Sequence, residues 1–482
     1  MKKFYTMISA LLVISGFVSC NDKKPDFPPT PEPPVPVGEM KTVKGVKFTD
    51  SFYEGYKFVE LQLSKGEEVS FTGFQSLENV VQMCFWDVKS HSSAVFNAPD
   101  GRYSIYLNEK TGLLYTEYPL TAEAPQTYWI GGEPNAYGHP KGGKATGSWD
   151  RILPENRICM VQTAPGIYET DAFLAGAFQF YSSASGFSGI NRNSVSGIYL
   201  DGVGTAIQST NENFSIPKGK GAGVYHIVLE TRFANRLMLE QNVKSQEVTF
   251  MTFNIAGLVL TDVSKTAKVI RDSGADVIGC QEVLNTPAAG NQLEQICKQA
   301  GYSYNKFCIT RSEAGGYFGN GIISKEIPIS TREVFLKCNL PNGEDRRALI
   351  VEYGNYYICV THLSQGVATG PDAWKKDETN RITQINTLIP ELSKLTDKPV
   401  FFMADFNSQP NDSAGQEIQK TSFIFKNDLY AQNTYPSNDP TYRLDYVCQL
   451  KTGFVAIQTR GEVINTQVSD HRPVVVGLRF YK

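Results

Sequence analysis

Between Glu247 and Val476 the apolar runs of this chain repeatedly stop at a polar residue that is costly to bury, and this restricts the fold more than any other feature. "TFN" ends at Asn254, "IGCQE" at Glu282, "CVTH" at His362, and "FFMADFN" at Asp405 and Asn407. Asp445 lies in "YRLDYV", and Asp470 with His471 opens "SDHRPVVV". Each of these endings alone reads as a surface cap or a satisfied hydrogen bond. Together they are expensive unless they converge on one another or on a ligand. The intervening text alternates strand and helix. "EVTFMTFNIAGL" and "ADVIGCQEV" read as strands, and "DVSKTAKVIRDSG" between them as a helix capped by Gly274. A second helix is predicted at "NQLEQICKQAG", and a third where Ile382, Ile385, Leu388 and Leu392 fall at helical spacing. This succession predicts an α/β domain over residues 246–482, with its site at the strand ends.

The residue types at those endings suggest phosphate-ester hydrolysis. Asp405 and Asn407 are two apart, so on an extended segment they share a face. Arg346 and Arg347 are adjacent, so only one of them can face the site. A carboxylate beside a histidine orients and polarises the imidazole, and Asn and Arg donors hold phosphate oxygens. A hard cation such as Mg²⁺ needs few protein oxygens and leaves positions open for water and phosphate. The net charge of −3, with 46 Lys and Arg against 49 Asp and Glu, excludes a global field that would recruit nucleic acid or anionic membrane.

The ordered set "TFNIAGL", "DVIGCQEV", "GNGIISKEIPI", "VTHLS", "ADFNSQP", "TYPSNDPTYRLDYV" and "SDHRPV" resembles the endonuclease/exonuclease/phosphatase superfamily. The resemblance implies a four-layer α/β/β/α sandwich and a hydrolase dependent on Mg²⁺ (or Mn²⁺). It implies Glu282 as principal metal ligand with Asn254 beside it and Asp470 supporting the metal side. Asp405 and Asn407 would place the attacking water and the phosphate. Asp445 would hold His471, which serves as base or as phosphate-stabilising imidazolium. His362 would contact the phosphate or the leaving oxygen, and Arg346 or Arg347 a nonbridging oxygen. Ala404 replaces the Gly of the family's "GDFN". Ala256 and "VTHLS" depart from the pattern of abasic-site endonucleases and argue against DNA repair.

The N-terminal half is different text. Lys2 and Lys3 precede an apolar stretch from Met7 to Val18, too short to span a bilayer comfortably, and "SGFVSC" ends it. Residues 1–20 resemble a bacterial lipoprotein signal peptide, with Cys20 as the lipidation site and the cell envelope as destination. Residues 21–40 are Pro-rich and predict an extended linker. From 41 to 245 short alternating strands between Gly and Asn turns predict two β-sandwich modules, 41–125 and 126–245. They resemble sandwich modules on glycan-handling surface lipoproteins, which leaves a glycan contact open. Trp86, Trp129 and Trp149 fit core positions better than sugar platforms. The eight cysteines beyond Cys20 lack CxxC spacing and predict mainly free thiols. The expected protein is a monomeric, lipid-anchored phosphoester hydrolase. The alternative is a glycan-binding lipoprotein whose hydrolase domain has decayed.

Overall fold

The computed structural model describes residues 40–481 apart from 120–126, 133–136, 139–152, 183–188, 191–193, 205–212, 217–222, 426–431, 79, 83, 234, 242–243, 260–261, 342, 371, 453 and 455. Cys20, the signal segment, nearly all of the Pro-rich linker and Trp149 therefore lie outside the described residues. Among the described residues no helix is long and apolar enough to cross a membrane.

The first β module pairs a five-stranded sheet centred on Glu68–Thr72 with a four-stranded sheet centred on Tyr56–Leu63 and Gly101–Asn108. Alternate residues of both meet in a core that includes Val69, Phe71, Trp86, Phe96 and Ile105. Trp86 is fully buried, its indole N–H donating to Thr116 Oγ1 at 2.9 Å. The second module packs a sheet containing Trp129–Gly132 and Ala177–Tyr181 against one built on Ile167–Leu174, Gly223–Glu230 and Arg236–Glu240. Phe178, Phe180, Phe214, Ile227 and Leu237 fill the space between them. Trp129 belongs by hydrogen bonding to the second module, yet its ring packs into the core of the first. Beside it, Arg157 donates two hydrogen bonds to buried Glu117, at 2.9 and 2.7 Å. Neither buried tryptophan is free to stack on a sugar.

The C-terminal domain has two face-to-face sheets with helices outside both. In the first sheet the order is Tyr304–Glu313, Gly316–Ser324, Val277–Thr286, Gln246–Asn254, Val474–Phe480, Ala456–Val463. The second runs Ser330–Leu336, Arg346–Glu352, Tyr357–His362, Val400–Asp405, Asp445–Leu450, Ser422–Ile424. Apolar residues of both inner faces, among them Phe250, Val360, Phe401, Met403 and Val476, form the central core. Gly279 faces Met403 and Val360 of the second sheet. A Cβ there would lie 3.0 Å from Met403 Cβ, so any side chain would push the sheets apart. Helices Val263–Ser273 and Gln292–Ala300 cover the first sheet, and Ala373–Ser393 with Ser413–Thr421 the second. The first two start on Asp262 and Asn291, whose side chains accept backbone N–H bonds, and stop at Gly274 and Gly301 in the left-handed region. This is a four-layer α/β/β/α sandwich behind two β-sandwich modules.

The last strand also touches the second β module. Arg479 reaches Glu169 at 3.1 Å, and Tyr481 joins Ile167, Val228, Met238 and Ile457 in a small apolar cluster. His226 bridges Glu169 and Asp171, each at 3.0 Å. Burial works against the charged imidazole, but the two carboxylates outweigh it and carry its pKa from 6.5 up to about 10. Glu169 moves from 4.5 down to about 2, because His226 and Arg479 outweigh the burial that opposes its charge. The His226 contribution to stability is therefore complete below pH 6.5 and lost as pH rises towards 10. The Glu169 contribution is complete above pH 4.5 and lost as pH falls towards 2. Thermal unfolding of His226→Gln across pH should show the variant less stable than the parent near pH 6 and the difference shrinking towards pH 10. A pH-independent difference contradicts the assignment.

Candidate active site

One row of three adjacent strand ends makes the floor of the site. In the second sheet His362 is in register with Asp405, and Asp405 with Asp445. All three side chains are buried. From the first sheet Asn254 reaches across, its Nδ2 donating to Asp405 Oδ2 at 3.0 Å and to Glu282 Oε1 at 3.1 Å. His471, in the turn before the strand Val474–Phe480, closes the ring. Its Nδ1 lies 2.8 Å from Asp445 Oδ2 and its Nε2 3.7 Å from Asp405 Oδ2. Asn407 Nδ2 donates to His362 Nε2 at 2.9 Å and to the Leu363 carbonyl at 3.1 Å.

The backbone bends to aim these groups. Glu282 occupies a bulge in its strand, where the register against Gly316–Ser324 shifts between Cys280 and Val283. It takes φ +57°, and Asn407 and Ala256 each take +50°. A left-handed residue other than glycine costs roughly 1–3 kcal/mol, and such strain gathers where a side chain must be re-aimed. Gly257 answers the bend at Glu282 by donating its N–H to the Glu282 carbonyl at 2.8 Å; a Cβ there would meet that oxygen at 2.2 Å.

Burial and charge set the protonation of the row. Burial pushes the Asp405 carboxyl up to about 6, with Asp445 adding to the effect and His471 opposing it. Burial also disfavours charge on His471, but Asp445 and Asp405 raise it to about 10. His362 is driven well below its ordinary value by burial, Arg346 and His471, and stays neutral. The two histidines thus hold opposite states a few ångströms apart.

Alternation along Arg346–Glu352 separates the two arginines. Arg346 is buried beside Glu344 at 3.6 Å and feels the charges of Glu282 and Asp405. Arg347 points the other way, to Glu333 at 3.2 Å and over the Phe335 ring, and so leaves the set of substrate contacts. Of the eight buried side-chain atoms without a hydrogen-bond partner among the described residues, three belong to this site: Arg346 Nε, His362 Nδ1 and Asp445 Oδ1. Asp470 is exposed and lines an open cleft, its carboxylate accepting from Ser469 Oγ at 3.3 Å. It stands at the mouth rather than beside Glu282 in the floor. Two neighbours were not foreseen. Arg311 sits just past a register shift at Ile309, between Glu313 and Glu344, and Tyr435 packs its ring 4.8 Å from that of His471. Neither carries a local signal beyond its own residue type.

The helix Ala373–Ser393 supports the site with polar residues on its buried face. Arg381 donates to the Ser364 carbonyl at 2.8 Å and to Glu378 at 2.6 Å. Glu378 in turn accepts from Ser408 Oγ and from Ala414 N–H. Gln384 holds Ser364 from both sides, and Asp377 caps the N–H groups of Val367 and Ala368. The loops that follow His362 and Asn407 are thereby tied to one helix.

Residues 251–471 match the family model described as Endonuclease/Exonuclease/phosphatase family. The C-terminal region is an endonuclease/exonuclease/phosphatase domain. Solved structures similar to this chain include an endonuclease/exonuclease/phosphatase from Bacteroides vulgatus, at 16% identity and TM-score 0.40, covering 49% of this chain and 99% of that one. A mannosyl-6-phosphatase from Bacteroides thetaiotaomicron aligns at 15% identity and TM-score 0.37, covering 48% and 99%. The human Nocturnin catalytic domain aligns at 17% and 0.39, covering 48% and 93%. No curated protein matches the chain.

Two donor sets in the endonuclease/exonuclease/phosphatase domain bear on a divalent cation. Donor atoms of Asp405, Asp445 and His471 lie within 4.8 Å of one another. His471 commits Nδ1 to Asp445 at 2.8 Å, so only its Nε2 remains for a cation in this set. Glu282 fits a hard cation better, as a half-buried carboxylate fixed by one Asn254 bond. Asn254 orients Glu282 and Asp405 through its Nδ2, and its Oδ1 accepts the Ala256 N–H while keeping a second lone pair for a cation.

Removing the Arg381 side chain leaves Glu378 charged and buried. Arg381→Ala should cost about 3–5 kcal/mol in urea unfolding; a loss below about 1 kcal/mol would mean the pair is a surface-like contact. For the two arginines, Arg346→Ala should reduce kcat/KM for a phosphoester at least about 10²-fold, the scale for losing one buried charged donor. Arg347→Ala should stay within about threefold, as expected for a solvated ion pair. Equal effects would refute the side-chain alternation.

Proposed function

We propose that the protein is a metal-dependent phosphoric-ester hydrolase acting on a small or surface-displayed phosphoester. The observation that carries this reading is the convergence of Asp405, Asp445, His471, His362 and Arg346 from two sheets, three of them with a buried polar atom still unpartnered. A decayed scaffold would have no reason to keep such atoms desolvated, since each costs about 1–3 kcal/mol.

In this reading Arg346 and Asn407 hold nonbridging phosphate oxygens and Asp405 orients the attacking water. Neutral His362 takes its orientation from Asn407. His471, braced by Asp445, donates a hydrogen bond to the oxygen that gains charge. A cation at Glu282 would polarise the phosphoryl group when bound. Duplex DNA is a poor fit, because gripping its backbone needs several phosphate-neutralising cations. Here Lys and Arg (46) do not exceed Asp and Glu (49). Lipidation at Cys20, which would tether the hydrolase to the cell envelope, rests on the sequence motif alone.

With an aryl phosphodiester and an aryl phosphomonoester as probes, chelation should abolish turnover and Mg²⁺ or Mn²⁺ restore it. His471→Ala and Asp405→Ala should each lose at least about 10²-fold in kcat. The double variant should lose far less than the product, as for groups acting as a unit. Full activity in excess chelator, or a folded His471→Ala protein with near-normal rate, would refute the reading.

A further inference from the structure

An open cleft of about 630 Å³ adjoins the site through Ala256, Ser469 and Asp470, and neither Arg346 nor Arg311 lines it. Its walls are the loop after Asn254 and the segments before Asp445 and His471. They include Ala256, Val259, Asp262, Asn438, Gln467 and Asp470. The walls are continuous with the site. Ala256 N–H bonds Asn254 Oδ1, Ser469 Oγ bonds the Asn254 carbonyl at 2.7 Å, and Asp470 is the residue before His471. The volume lies within the range of about 300–1,000 Å³ usual for small-molecule sites.

The chemistry of this lining is selective. Asp262 and Asp470 outnumber Lys265, the one cation on the described wall, and Lys265 already lies 4.0 Å from Asp262. A second phosphate or a polyanionic chain is therefore disfavoured there. No aromatic ring lines the described wall, so a nucleobase finds no stacking platform. The apolar lining residues, Ala256, Val259, Pro436 and Val468, are interleaved along the chain with polar and charged ones. What remains is a surface of carboxylate and amide groups with small aliphatic patches at Val259 and Pro436. Hydroxyl groups satisfy such acceptors and donors without bringing charge, and charge-assisted O–H bonds to carboxylates are the stronger kind.

Resting on the hydrolase reading above, we infer that this cleft binds the uncharged, hydroxyl-rich alcohol portion of the substrate, so that the enzyme acts on a sugar phosphoester. Arg346 holds the phosphoryl end, and Asn438, Gln467 and Asp470 read the hydroxyls of the sugar. The phosphoryl end meets Arg346, and the alcohol end meets a wall whose one described cation is Lys265.

The test compares hexose 6-phosphates and their methyl diesters with phenyl phosphate and phenyl methyl phosphate, using the full chain in Mg²⁺. The parent should prefer the sugar ester. Asn438→Ala and Gln467→Ala should each lower the sugar-over-aryl ratio of kcat/KM about 10-fold, the scale of one or two lost hydrogen bonds to a polar substrate, through KM rather than kcat. Val259 is 71% exposed, so Val259→Trp should fold and block the cleft with the same loss of ratio. Aryl hydrolysis with no sugar preference, or variants that shift both classes equally, overturns the inference and leaves the hydrolase reading standing. Hydrolysis of neither class by the parent overturns both.

Discussion

Asn254 joins the two sheets at the point where the chemistry sits. Its amide donates to half-buried Glu282 in its own sheet and to fully buried Asp405 in the other. Neither sheet alone could keep these carboxylates buried. A lone buried carboxylate would pick up a proton or draw in water, and it is the facing sheet that supplies donors and countercharge. The central apolar core, with Gly279 letting the sheets come close, fixes the spacing on which that exchange depends. The fold gathers Asn254, Glu282, His362, Asp405, Asn407, Asp445 and His471 in one place, and each satisfies part of another's hydrogen-bonding demand.

The remaining demand is unmet. Arg346 Nε, His362 Nδ1 and Asp445 Oδ1 are buried without partners. The backbone is bent at Ala256, Glu282 and Asn407, none of them glycine. Unmet polarity and stored strain in one place are the marks of a surface shaped for a ligand rather than for stability. The helix Ala373–Ser393 offsets part of this cost by burying Asp377, Glu378, Arg381 and Gln384 against the loops that carry Ser364 and Ser408. Site and support form a two-layer polar network inside an otherwise apolar sandwich.

Much of this was legible in the sequence because cost is legible: apolar runs that stop at Asn254, Glu282, His362 and Asp405 signal convergence whatever the details. The helix stop at Gly274 was equally plain, since a left-handed cap asks for glycine there. Other features depend on three-dimensional register. The facing of Arg346 over Arg347 is decided by which residue pairs with Leu336. The bulge that re-aims Glu282 has no signature in "IGCQEV". Arg311 comes to the site only because its strand slips register at Ile309. The long third helix shows its apolar stripe at Ile385, Leu388 and Leu392, while nothing in the spacing of Asp377 and Glu378 marks them as buried. Asp470 reads as a metal-side residue beside His471, and the turn places it at the mouth.

In the proposed arrangement one phosphoester would lie between a cation at Glu282 and the Arg346–His362–Asn407 side, with His471 as a protonated donor. Anomalous diffraction from crystals grown with Mn²⁺ and orthovanadate tests this directly. The account predicts a manganese peak at Glu282 and vanadate oxygens on Arg346 and Asn407, with His471 still bonded to Asp445. Manganese seated among Asp405, Asp445 and His471, or vanadate bound away from Arg346, would contradict it.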